Sequence, residues 1–206
     1  MPFPKDDNMT LEEFFNNYVN NLYGALSSLD IESLEHCYDA LMVSINSGSR
    51  IFSCGNGGSS AIAEHMVCDF VKQASTDSNI EPKVHALLST PLLTAIANDY
   101  SYDQIFSYQI ERYAESSDLL LSISSSGNSE NIIKAIEAAK LKNMMTISFV
   151  GFDGGRVAIL SDIVIHLKAE NYGIVEDSHQ ALMHIFSQYI RLKALKVNKN
   201  IDNVNF

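Results

Sequence analysis

The sequence predicts an α/β fold: a doubly wound, five-stranded parallel sheet with added N-terminal helices. Three observations predict it. Short apolar runs recur from residue 50 onward, helical periodicities fill the gaps between them, and small polar segments follow two of the runs. Four of the five runs lack clean polar alternation, as expected of strands covered by helices on both faces. Strands alternating with helices imply right-handed crossovers between parallel neighbours.

The elements follow in order. Residues 1–48 read as two helices forming an N-terminal extension, which packs on the main domain or on an oligomer partner. Thr10 with Glu13 makes a capping box, and Leu11, Phe14, Phe15, Tyr18, Leu22, Leu26 and Leu29 recur at a helical period. Asp30 caps a second helix carrying Leu34, Leu41, Met42 and Ile45, which stops at Ser47-Gly48. Residues 49–206 read as the main domain. Its strands lie near Ile51–Cys54, Val84–Leu88, Leu119–Ser124, Met145–Val150 and Ile163–Leu167, with helical stretches such as Gln104–Tyr113 and Asn131–Leu141. The last strong helix is expected at His179–Leu195, and the tail from Val197 reads as frayed. No linker separates the two parts, so the chain is expected to form one structural unit.

Composition excludes several function classes. Fourteen Lys plus Arg against 25 Asp plus Glu leave a formal charge of −11. With no basic patch to offset it, the chain should repel nucleic acid and anionic membranes. The start MPFPKDDNMTLEEFF lacks a secretory pattern, and no apolar stretch approaches the ~20 residues of a membrane span. The three cysteines, Cys37, Cys54 and Cys68, have no C-x-x-C spacing. They read as free buried thiols of a reduced, cytoplasmic protein.

Open α/β sheets bind ligands at the carboxyl ends of their strands, which directs attention to the loops that follow strands. After the first strand comes Gly55-Asn56-Gly57-Gly58-Ser59-Ser60. It permits close backbone approach and opens a helix, but it is neither a dinucleotide fingerprint nor a Walker sequence. After the third strand comes Ser124-Ser125-Ser126-Gly127-Asn128-Ser129. Capping needs one hydroxyl, and this loop offers several beside the N–H groups of a helix start. Such a loop suits a phosphate held without Lys or Arg, hence a small phosphorylated ligand. Gly151-Phe152-Asp153-Gly154-Gly155 reads as a turn.

Two further clusters carry chemistry. His65 and Asp69 share a helix face, a spacing that serves metal chelation or proton transfer as well as a plain structural pair. Near the C-terminus, Glu176-Asp177-Ser178-His179 is expected to open the last helix, with His184 beyond it. Asp177 or Ser178 can serve as the N-cap, and His179 reads as structural or supporting.

The GNGGS and SSSGNS loops, the Ala97-Asn98-Asp99 segment and Gly151–Gly155 resemble the sugar isomerase (SIS) domain family, and within it the phosphoheptose isomerases. The resemblance spans roughly residues 10–193 on the element reading above. It implies a three-layer sandwich and conversion of sedoheptulose 7-phosphate to D-glycero-D-manno-heptose 7-phosphate through an enediol. It also implies a divalent ion, zinc by expectation, held by His65, Asp69, Glu176 and His184. Asp69 is then the base and His184 the acid. Ser124, Ser125, Ser126 and Ser129 hold the phosphate, with Asn56, Gly57, Gly58, Ser59, Asn98, Asp99 and Glu176 around the sugar. The family's habit implies a homotetramer with sites at subunit interfaces. Two departures stand out: Asp69 replaces the family's usual Glu, and Glu176 its usual Gln. Geometry adds a constraint, because eight residues of unbroken helix rise ~12 Å. Glu176 is therefore expected in a non-helical lead-in or from a neighbouring subunit. Two other readings remain open at this point: an isomerase of a different sugar phosphate, and a non-catalytic SIS adaptor that binds a replication initiator protein.

Overall fold

Both N-terminal helices form where their caps place them. In α1 (Leu11–Ser27), Glu13 N–H donates to Thr10 Oγ1 and Thr10 N–H donates to the Glu13 carboxylate (3.2 and 2.8 Å). The Asp30 carboxylate accepts Ser33 N–H at the start of α2 (Ile31–Ser47). That helix ends at Gly48, whose φ of 72° is the left-handed turn that favours glycine. The computed structural model describes residues 3, 4, 6–195 and 204, so the tail expected to fray lies outside the described residues apart from Val204.

Strands and helices then alternate. In chain order they are β1 (Arg50–Gly55), α3 (Gly58–Cys68), β2 (Lys83–Ala86), α4 (Thr90–Asp99), α5 (Ser107–Tyr113), β3 (Leu119–Ser124), α6 (Glu130–Leu141), β4 (Met145–Val150), α7 (Gly155–Leu160), β5 (Ile163–His166) and α8 (Tyr172–Ala194). A π-helical turn, Asp69–Ala74, continues α3, and a 3₁₀ turn, Tyr102–Gln104, precedes α5. The five strands are parallel in the order β2-β1-β3-β4-β5. The winding reverses between β1 and β3, so the loops after these two strands flank the crevice where such sheets bind ligands.

Every strand but β2 supplies both faces. Leu119, Leu121 and Ile123 enter a core closed by α1, α2, α3 and α8, while Leu120, with Phe52 and Val150, enters a second closed by α4 to α7. This two-sided burial accounts for the missing polar alternation. The N-terminal helices share the first core through Ala25, Cys37, Leu41 and Ile45.

Three expectations are corrected. The last helix begins at Tyr172 rather than His179, because Asn171 is the N-cap and its side chain accepts Ile174 N–H at 3.0 Å. Glu176, Asp177 and Ser178 are therefore helical, and neither Asp177 nor Ser178 caps. Cys68 is exposed at the end of α3, while Cys37 and Cys54 are buried as expected. The stretch read as one helix over Gln104–Tyr113 divides into the 3₁₀ turn and α5. Among the described residues, no helix is long and apolar enough to cross a membrane.

Candidate functional site

At the carboxyl ends of β1 and β3 lies a polar pocket of about 140 Å³, lined by Ser124, Ser125, Ser126 and Ser129 from one loop and Asn56 and Ser59 from the other. The serine loop is bent by Gly127, with φ at 64°, and a Cβ there would collide with the Gly154 carbonyl. The glycine-rich turn after β4 thus packs under the serine loop, and Val157 N–H donates to Gly127 O at 2.9 Å.

The hydroxyls are left available. Ser129 sits at the N-cap of α6 but makes no side-chain capping bond, and the buried Ser125 Oγ has no hydrogen-bond partner. Leaving a buried hydroxyl unpaired costs about 1–3 kcal/mol, a penalty that a bound oxyanion would remove. Together with the first N–H groups of α6, these donors make a cradle for a phosphate.

On the facing loop, Gly57 starts α3 with φ at 53° and ψ at −124°, a conformation that favours glycine. Gly58 lies directly against the Glu176 carboxylate, which would have to swing aside to admit a Cβ there. Glu176 and Tyr172 from the first turns of α8 close the pocket. Burial and the neighbouring Asp177 charge raise the Glu176 pKa above its ordinary value.

A second constellation lies farther along α3 and α8. Asp69, buried where α3 widens into its π turn, faces two histidines. His65 Nε2 is 3.3 Å from Asp69 Oδ1, and His184 Nε2 is 3.4 Å from Asp69 Oδ2. The imidazoles meet edge to face, 5.2 Å apart. The Gln180 amide donates to His184 Nε2 at 3.1 Å, which makes that ring nitrogen the acceptor and puts the ring proton on Nδ1. Asp69 Oδ2 is buried without a hydrogen-bond partner. One donor atom from each of the three residues lies within 4.8 Å of the others. Four-coordinate zinc at 2.0–2.1 Å sets its ligands roughly 3.3 Å apart, so the observed spacing and the nitrogen–oxygen donor set fit such an ion.

The remaining expected residues fall elsewhere. Asn98 and Asp99 are exposed at the end of α4 and bonded to each other, outside the lining of the serine pocket. Glu176 lies on α8 two helical turns before His184, a rise of ~12 Å, and is not among the three clustered donors. The non-helical lead-in expected for it does not exist.

Residues 14–151 match the family model described as SIS domain. The chain belongs to the SIS domain family. Among SIS relatives, it is 32% identical over 185 residues to the phosphoheptose isomerase of Colwellia psychrerythraea, covering 87% of this chain and 94% of that protein. To the phosphoheptose isomerase of Clostridium acetobutylicum it is 36% identical over 155 residues, or 75% and 79% of the two chains. The solved phosphoheptose isomerase of Neisseria gonorrhoeae superposes with a TM-score of 0.80 at 30% identity, covering 88% of this chain and 98% of that one. The Francisella tularensis phosphoheptose isomerase gives 0.82 at 25% identity, covering 89% and 100%.

Sequence reasoning missed four residues of this SIS domain. Tyr172 closes the pocket, Gln180 supports His184, and Asn131 and Tyr102 hold Asn56. Tyr172 was legible only with the correct cap, Asn171. Gln180 lies one turn before His184, a spacing open to inspection. Asn131 and Tyr102 carry no local signal, because their partner is remote in sequence.

Proposed function

We propose that this SIS domain protein is an aldose–ketose isomerase that converts sedoheptulose 7-phosphate to D-glycero-D-manno-heptose 7-phosphate. The observation that carries the reading is the buried Asp69 carboxylate between His65 and His184, with one oxygen accepting no hydrogen bond. Likeness to phosphoheptose isomerases over most of the chain supports the substrate, and the serine cradle supports the phosphate.

In this reading Asp69 is the base. Its Oδ2, which accepts no hydrogen bond, takes the proton from the carbon beside the carbonyl, and the electron pair moves towards the carbonyl oxygen to form a cis-enediol. His184 moves protons between the carbonyl and hydroxyl oxygens, its ring held by Gln180. The proton returned to the neighbouring carbon completes the isomerisation. Ser124, Ser125, Ser126 and Ser129 hold the phosphate, while Asn56, Ser59 and Glu176 bound the chain next to it. A zinc ion would be held by His65, Asp69 and His184, where it would supply Lewis-acid polarisation of a sugar oxygen.

The same reading includes assembly into a homotetramer with shared sites. Within one chain the serine pocket and the histidine–carboxylate cluster are offset along α3 and α8, and His65 is nearly half exposed. Leu11, Phe15 and Tyr23 on α1 and Ile185 and Tyr189 on α8 are also exposed, apolar surface that a partner copy would cover. A second copy would bring its cluster, or its Glu176, to the pocket of the first.

The deciding experiment is turnover of sedoheptulose 7-phosphate by purified protein, with hexose and pentose phosphates alongside. Conversion of the heptulose phosphate is the expected result. Conversion of another sugar only would move the substrate, and binding without conversion would refute the enzyme.

A further inference from the structure

The two loops of the pocket are joined by an amide clasp. Asn56 Nδ2 donates to Asn131 Oδ1 at 2.9 Å, and Asn131 Nδ2 donates back to Asn56 Oδ1 at 2.8 Å. A doubly bonded amide pair is complementary in this register, and sliding either side chain breaks both bonds at once. Asn131 is 2% exposed, on the first turn of α6, and does not itself line the serine pocket. Its side chain crosses the switch point to the neighbouring loop. Tyr102 Oη adds a third bond to Asn56 Oδ1 at 3.0 Å.

Asn56 is the side chain held by this clasp, and its position gives the clasp a consequence. It lines the serine pocket on one side and, on the other, an adjoining cavity of about 300 Å³ that reaches Leu93, Ala97 and Phe106. Asn56 is thus a partition between a polar compartment and a larger, more apolar one. Without Asn131 only the Tyr102 hydroxyl would hold Asn56, at a single oxygen, and the partition would loosen.

We propose that Asn131 is a positioning residue for turnover, acting through Asn56 to keep the phosphate pocket closed against the adjoining cavity. It touches neither the cradle nor the His65–Asp69–His184 cluster. Its contribution should appear in substrate capture more than in the chemical step, because an unheld wall lets the substrate settle in unproductive poses. Two amide bonds released into the pocket carry the same consequence from the side of Asn56, whose groups would then compete for the ligand oxygens.

The inference rests on the isomerase reading, and the test separates the two. Four full-length proteins are compared: wild type, Asn131→Ala, Asn56→Ala and the double variant. The measurements are kcat and KM for sedoheptulose 7-phosphate, and Kd for the same compound by calorimetry. Asn131→Ala should raise KM about tenfold with kcat changed less than about threefold, and should add almost nothing in the Asn56→Ala background. Asn131→Leu keeps the volume and removes both bonds, so it should raise KM as the alanine variant does; it also stands in if the alanine variant does not fold. Losses that multiply in the double variant, or an unchanged KM with only a lowered unfolding midpoint, would overturn the positioning role. Wild-type protein that binds the sugar phosphate without converting it would sink the isomerase reading instead, and the same cycle is then read on Kd.

Discussion

The serine pocket takes four of its hydroxyls from a single loop, Ser124 to Ser129, while the histidine–carboxylate cluster joins His65 and Asp69 of α3 to a His184 that only helix packing brings near. Apart from Glu176 at its edge, the pocket is lined by uncharged groups and held by backbone: strand ends, a left-handed glycine and a helix start. The cluster is ionisable and held by side chains on two helix flanks. In the proposed function, ligand capture sits where the sheet's winding reverses and proton chemistry sits on the helices that leave it. The two functions can therefore be damaged separately.

Asp69→Asn should separate them most sharply. Proton transfer by a positioned group is worth about 10²–10⁴-fold, so kcat should fall by that range while KM and the unfolding midpoint stay near wild type. Undiminished turnover would remove Asp69 from the chemistry.

Chelation tests the same cluster without a mutation. Treatment with a zinc chelator should abolish most turnover while sedoheptulose 7-phosphate still binds, and resupplied zinc should restore the rate. Full activity after exhaustive chelation would leave proton transfer to the side chains alone.

Ser125→Ala strikes the other region. Losing one donor to an anion should raise KM by about tenfold and leave kcat within a few-fold. Protein assembled from Asp69→Asn and Ser125→Ala subunits together should recover activity above either parent if pocket and cluster meet across an interface. No recovery would confine each site to one chain.

The smallest effect on turnover should come from His179, which lies fully buried against Phe149 with ring centres 5.9 Å apart. Burial pushes its pKa down to about 4, against a weaker upward pull from the Val150 backbone. The unfolded chain, with an ordinary His pKa near 6.5, binds this proton more readily than the folded one. Stability is thus complete above about pH 6.5 and falls as pH drops towards about 4, by on the order of 3 kcal/mol. Urea midpoints at pH 7 and pH 5 measure this slope. His179→Leu should flatten it and leave kcat at neutral pH little changed.

Much of this molecule is legible in its residues alone. The caps at Thr10 and Asp30 and the stop at Gly48 act within a few residues, and their outcome needs no distant partner. The strands other than β2 stand out because both faces are buried. The helix start at Tyr172 does not, because Gly173 weakens the helical pattern locally while Asp177 and Ser178 imitate a cap downstream. Packing explains that glycine: a Cβ at Gly173 would crowd the Tyr18 hydroxyl of α1, which donates to Asp177 at 2.6 Å.

The sequence by itself determined the α/β order, both pocket loops and the His65–Asp69 pair, since each depends on spacing along one element. Only the tertiary structure decided that α3 and α8 pack side by side. That packing sets His184 against Asp69 and leaves Glu176 beside Gly58, two turns away. It decided as well that Asn131 clasps Asn56 across the sheet's switch point. These contacts depend on how helices and strands pack at long sequence separation, and no local pattern of residues encodes such a distance.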